Sequence, residues 1–224
     1  MTRRPHTLLL VAAAAGALNA AAQKRQPLPE PSFTLKGTLV LPVPVGLPLF
    51  NDLTESVGGF DLCAQYPFWK GLGVGLGGRA TWFGLEERSF APQNISGEIV
   101  RATWFGKLQW EKYTGGRTFV EFAAKAGLSD YHYTSSGVGE RRTVKASGLH
   151  WGGQFTFYLH ATDNLAFGVQ VGYEQDEQTL SPDKFGLESF PGRTVQAEGP
   201  PYGFLTVGLG FSTRFRKSAD RGEW

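Results

Sequence analysis

Between Gly148 and Asp176 the chain reads GLHWGGQFTFYLHATDNLAFGVQVGYEQD, two alternating runs joined by Ala161-Thr162-Asp163-Asn164. In the first, Leu149, Trp151, Gly153, Phe155, Phe157 and Leu159 fall on one face and His150, Gly152, Gln154, Thr156 and Tyr158 on the other. In the second, Leu165, Phe167, Val169, Val171 and Tyr173 oppose Ala166, Gly168, Gln170, Gly172, Glu174 and Asp176. A period of two is the signature of a strand. Globular strands run about 5–6 residues, whereas about 9–11 are needed for a tilted strand to cross a bilayer. The stretch predicts a hairpin of a membrane β-barrel, apolar face to lipid and polar face to the lumen.

The same alternation recurs along the chain. Phe33 to Leu41 is the first strand, after which Pro42, Pro44 and Pro48 are expected to end ladder pairing. A loop over about Pro44 to Val57 leads to a second strand, Gly59 to Phe68, and a tight turn at Trp69-Lys70 to a third, where Leu72, Val74, Leu76, Ala80 and Trp82 share a face. After a loop at about Glu86 to Ser96, the fourth strand sets Val100, Ala102, Trp104, Leu108 and Trp110 against Arg101, Thr103, Lys107, Gln109 and Glu111, with Phe105 breaking the polar face. The turn Tyr113-Thr114-Gly115-Gly116 precedes a fifth strand (Val120, Phe122, Ala124, Ala126 and Leu128 outward), and a loop over about Thr134 to Ala146 precedes the hairpin above. The longest loop, about Glu177 to Pro201, leads to an eighth strand, Tyr202 to Phe215. Eight strands with connections alternating long and short describe an all-β, antiparallel up-and-down transmembrane barrel over residues 32–215, with short periplasmic turns and larger external loops.

Residues 1–22 read as a signal peptide: Arg3 and Arg4, an apolar Leu8 to Leu18 core, and Ala20-Ala21-Ala22. Residues 23–31 follow as a periplasmic leader and 216–224 as a periplasmic tail. Losing Arg3 and Arg4 takes the basic count from 22 to 20, equal to the 20 acidic residues. That balance argues against nucleic acid as a partner, which needs a concentrated basic surface. Cys63 is the only cysteine, which excludes an internal disulfide and a cysteine zinc site.

An inward charge network is expected from Lys36, Asp61, Arg79, Arg101, Lys107, Glu111, Glu121, Lys125, His150 and Glu174, because buried charges must pair. With Lys107 opposite Glu121, the register sets Glu111 opposite Arg117 and Thr103 opposite Lys125. Outward aromatics form two girdles: Phe60, Trp82, Trp151 and Tyr173 near the outer interface, and Phe33, Phe68, Trp110, Phe157 and Phe215 near the inner one. A secreted soluble barrel or sandwich is the alternative for such alternation, with the apolar face inside; the strand lengths and the cross-paired charges speak against it.

With these features the chain resembles the small eight-stranded outer-membrane barrels, the class of the OmpA transmembrane domain and OmpX. In Ala22-Gln23 and the Tyr66-Pro67-Phe68-Trp69-Lys70-Gly71 turn it is similar to the Bacteroidetes "outer membrane protein β-barrel" type. The resemblance implies a porin-like protein of a Gram-negative outer membrane, with lipid and lipopolysaccharide around it and the barrel-assembly machinery as a partner during biogenesis. Phe211, Thr213 and Phe215 partly match that class's terminal assembly signal, and Arg216 to Trp224 continue past it.

His150 is the most chemically suggestive residue, because either plausible register of its hairpin sets an acid, Glu174 or Asp176, opposite it. With Ser129, Ser147 or Thr156 as nucleophile, the pair would suit a lipid-modifying hydrolase, but no His-x-Ser motif of the lipid A deacylase type is present. Gly73 to Gly78 matches GxGxxG in letters, inside a strand with no helix after it, so no dinucleotide cofactor is expected. His132, His150 and His160 lack ligand spacing, so no metal is expected either. Inward glycines instead leave room for Phe83, Phe105, Tyr158 and Phe204. The reading is a non-enzymatic structural or loop-presenting surface protein with the Glu177 to Pro201 loop as the contact surface for a protein partner. The alternatives are a narrow channel for ions or small solutes and the His150 enzyme.

Overall fold

The computed structural model describes residues 33–137, 141–193 and 199–215; the expected signal peptide (1–22), leader (23–31) and tail (216–224) lie outside the described residues. Eight strands follow one another: β1 (Thr34–Pro44), β2 (Thr54–Trp69), β3 (Leu72–Leu85), β4 (Ser96–Tyr113), β5 (Thr118–Ser136), β6 (Arg141–His160), β7 (Leu165–Asp176) and β8 (Tyr202–Arg214). Each pairs antiparallel with the next, and β1 pairs with β8, closing the sheet into a barrel. Closure leaves no open sheet edge along the shared span of the strands, the condition for crossing hydrocarbon with a sheet.

The faces follow the sequence alternation. Leu39, Leu76, Trp104, Leu149 and Leu209 are exposed on the outside, while Lys36, Arg101, Glu121 and Glu174 are buried inside. Phe83, Phe105, Tyr158 and Phe204 also point inward and are buried. Gly77 shows why glycine is needed beside them: a Cβ there would stand 2.7 Å from the Phe105 ring and 2.7 Å from the Leu62 carbonyl oxygen.

Several boundaries differ from the sequence reading. Pro42 and Pro44 do not end β1; its pairing with β2 stops at Val40–Gly59, and the strand continues against β8 as far as Pro44–Phe204. One edge of β1 is unpaired there, which tolerates a missing N–H. Within the expected Pro44 to Val57 loop lie a one-and-a-half-turn helix, α1 (Pro48–Leu53), and the first residues of β2. The expected Thr134 to Ala146 loop is mostly strand, β5 and β6 pairing up to Ser136–Arg141. Polar residues on both faces hide the alternation in that upper hairpin, whose rungs include Thr134–Thr143 and Ser135–Arg142.

The β4–β5 register also corrects the expected pairing. Lys107 faces Lys125, Glu111 faces Glu121 and Thr103 faces Ser129. The expected register would have left a single residue to reverse the chain; instead Thr114, Gly115, Gly116 and Arg117 lie between the strands, and the Thr114 N–H donates to the Thr118 carbonyl at 3.0 Å. The β2–β3 turn is tighter, with Lys70 (φ +42°) and Gly71 (φ +89°) both in the left-handed region that two-residue hairpins require.

Candidate functional site in the lumen

All ten charged residues expected inside the barrel enter buried ion pairs, which form two clusters stacked along the lumen. Asp61 and Arg79 are direct cross-strand neighbours, with Nη2 to Oδ2 at 2.6 Å, and Lys125 reaches the same oxygen at 2.7 Å. Arg79 also pairs with Glu174, which Arg101 approaches at 3.2 Å while lying 2.8 Å from Asp176. Toward the turn side, Glu121 takes Lys107 at 2.7 Å and also Lys36, which in turn reaches Glu111 at 2.5 Å. The direct like-charge rungs Lys107–Lys125 and Glu111–Glu121 are thus offset by Asp61 and Lys36 across the lumen and by the diagonal Lys107–Glu121 pair. Fully buried charges persist only with such partners.

Aromatic layers close the network above and below. On the outer side Phe50, from α1, packs against Phe83 and Tyr202, each with ring centroids 5.1 Å away. Phe83 stacks on Phe204 at 5.4 Å, and the Arg101 guanidinium lies 5.2 Å from the Phe204 ring. Tyr131 joins this layer to the charges, its hydroxyl donating to Asp176 while its ring lies 5.2 Å from Tyr202. Leu47 and Leu53 from the first long connection, Phe90 and Ile95 from the second, and Leu180, Phe185 and Phe190 from the fourth bury in the same cluster. Toward the turns Phe119 stacks on Tyr158 at 4.7 Å and contacts Tyr113 and His160. Lys36 Nζ stands 4.7 Å from the Tyr158 ring, and Arg214 5.3 Å from Phe119.

The structure selects Asp176 as the partner of His150, with Nδ1 2.7 Å from Oδ1; Glu174 faces Gly152 and serves the arginines. The hydroxyls proposed as nucleophiles do not reach the imidazole. Ser129 Oγ donates to Asp176 at 3.1 Å, Ser147 donates to Asp130 on the outer surface at 2.5 Å, and Thr156 Oγ is buried without a protein partner. Arg101 occupies the other approach to Nδ1 at 3.0 Å. The cluster is therefore an ion-pair lock rather than a hydrolytic triad.

Among the described residues, Gln154, Thr156, Gln170 and Thr206 on the β6–β8 wall carry buried polar atoms with no protein partner, as do Thr81 on β3 and Gln109 on β4. Buried amides and hydroxyls need partners, and bound water ordinarily supplies them. The groups His/Cys/Asp/Glu form no metal-binding cluster among the described residues.

Outside, Phe33, Phe60, Phe68, Trp82, Trp110, Trp151, Phe157, Tyr173 and Phe215 are all exposed on the wall. Trp151 contacts Tyr173 at 6.3 Å and Phe33 contacts Phe215 at 5.7 Å. Trp69, Trp104, Phe122 and Phe155 are exposed there too, so the aromatics are not confined to two bands. Two network members were outside the sequence reading of the lumen. Arg214, 3.4 Å from Glu111, lies one residue past the outward Thr213, so alternation alone points it inward. Tyr131 lies on β5 beyond Leu128, the last residue of that strand placed on the outward face by the alternation.

No protein-family model and no curated protein sequence matches the chain. Among solved structures it is similar to neisserial surface protein A, with 9% identity, a TM-score of 0.50, and 84% of this chain and 100% of that one covered. A major outer membrane protein from Thermus thermophilus superposes with 12% identity and a TM-score of 0.51, covering 82% and 100%. Such identities speak for the fold alone. With its closed eight-stranded sheet, apolar exterior and ion-paired interior, the chain has the fold of the small outer-membrane β-barrels.

Proposed function

We propose that this is a non-enzymatic, non-conducting barrel of a bacterial outer membrane whose task is to hold a folded platform at the outer surface. The observation that carries the reading is the shared aromatic cluster: three of the long connections bury their apolar residues together over the barrel mouth. Loops serving only as links would not need a common core. The Glu177 to Pro201 loop offers the contact surface for a protein partner. Its short turn Pro182–Phe185 borders a depression of about 540 Å³ lined by Asp183, Leu187, Glu188 and Arg193 among others.

The polar atoms on the β6–β8 wall favour a second reading, a narrow water-filled channel. What supports the first over it is the charge network between two aromatic layers, and eight-stranded barrels generally fill their interior with side chains. Planar-bilayer recording of the refolded protein, after its heat-modifiable gel mobility is verified, separates the two. The platform reading predicts a silent bilayer; discrete, reproducible conductance steps would replace it with the channel.

A further inference from the structure

The outer wall is not uniformly convex. Across β3 to β7 a groove of about 520 Å³ runs over Ala124 and Gly153, walled by Leu108, Trp110, Phe122 and Phe155. Its lining is apolar and sits in the half of the barrel nearest the turns, since Trp110 is three residues from the end of β4 and Leu72 begins β3.

At the turn end of this groove stand two lysines without acidic partners. Lys112 follows Trp110 on the same outward face, with Nζ 6.0 Å from the indole, and Lys70 in the neighbouring turn has Nζ 5.4 Å from the Trp69 ring. The Glu111 N–H donates to the Gly71 carbonyl at 2.8 Å, which fixes the two lysine-bearing segments side by side. Neither ammonium enters an ion pair among the described residues. The carboxylate nearest in sequence, Glu111, points into the lumen and is committed to Lys36, Gln65 and Arg214. Adjacent like charges at the rim of an apolar groove are complementary to an amphiphile with an anionic head.

We propose that this groove is a specific site for one anionic phospholipid of the periplasm-facing leaflet, an acyl chain lying over Ala124 and Gly153 and its phosphate held between Lys70 and Lys112. Cation–π contact with Trp69 and Trp110 positions the ammoniums at headgroup depth, and each lysine near an anionic headgroup adds about fivefold to the preference. The site rests on the membrane-spanning reading, whose own failure would appear separately as lost heat-modifiable mobility.

The test is native mass spectrometry of the refolded full-length chain from micelles carrying dioleoyl phosphatidylglycerol or dioleoyl phosphatidylcholine, lipids with the same chains and different head charge. The wild type is expected to retain one phosphatidylglycerol about 20-fold more readily than phosphatidylcholine. Lys70→Gln with Lys112→Gln removes that preference. Gly153→Leu fills the groove and reduces retention of both lipids several-fold. It does so without straining the wall, because a Cβ at Gly153 meets nothing nearer than the Ala123 carbonyl oxygen at 3.8 Å. Equal retention of the two lipids by the wild type, an undiminished preference in the double lysine variant, or unchanged retention by Gly153→Leu would each overturn the site.

Discussion

Replacing Glu121 by Gln keeps the shape of the side chain and removes one buried negative charge. The described lumen ion pairs contain six cations (Lys36, Arg79, Arg101, Lys107, Lys125, Arg214) against five carboxylates (Asp61, Glu111, Glu121, Glu174, Asp176). Removing an acid therefore moves the lumen further from neutrality. Lys36 keeps Glu111 at 2.5 Å, but Lys107 keeps only the neutral Gln65 carbonyl oxygen at 3.1 Å. One buried ammonium is stranded, so the cost should sit at the low end of the range for a broken buried pair, about 3 kcal/mol. Lys107→Met is milder, about 1 kcal/mol, because Glu121 still holds Lys36 and accepts from Gln154 at 3.1 Å. The double variant strands nothing and should resemble Lys107→Met, giving a coupling of about 3 kcal/mol. Urea unfolding in lipid vesicles, followed by tryptophan fluorescence and gel mobility, measures all three. A Glu121→Gln cost below about 1 kcal/mol, or two effects that simply add, would refute the ion-pair lock.

Two further substitutions probe other layers. Phe50→Ala should loosen the outer platform by about 3–5 kcal/mol, seen as faster proteolysis of the long connections while the barrel keeps its heat-modifiable mobility; loss of the barrel itself would show that platform and wall are one cooperative unit. Gly77→Val, driven into Phe105 and the Leu62 carbonyl, should cost about 1–3 kcal/mol in the same urea assay. The outward control Gly106→Ala, whose Cβ meets only the Ala126 carbonyl at 3.8 Å, should be nearly neutral; equal effects would mean that the lumen is not packed at Gly77.

Which side of the wall a residue faces was legible because a period of two assigns faces without any knowledge of pairing. Lys36, Glu121 and Glu174 were therefore placed inside correctly, each with its neighbours in the strand. The rung is a different matter. Every shift by two residues preserves the faces, so the Lys107–Lys125 pairing depends on how Thr114 to Arg117 close the turn. Diagonal reach then rescued part of the expectation, since Lys107 meets Glu121 although it does not face it. The outer platform was invisible for another reason. Phe50, Phe90, Ile95 and Phe185 come from three separate connections with no period, and only their convergence in space reveals a core. His150 and an acid were legible as a pair, but the choice of Asp176 over Glu174 required the register.

The central claim, an apolar exterior in lipid around a charged interior, is tested most directly at Trp104. It is exposed on the wall and lies six residues along β4 from Trp110, which at about 3.4 Å per residue and a strand tilt of about 40° is roughly 15 Å deeper along the membrane normal. That depth is near the middle of a hydrocarbon core about 30 Å thick. A variant retaining Trp104 alone, refolded into vesicles of lipids brominated at defined positions, should be quenched most by bromines near the chain ends and little by aqueous iodide. A Trp104 indifferent to every brominated lipid, or quenched from the water, would contradict the barrel's placement in the membrane.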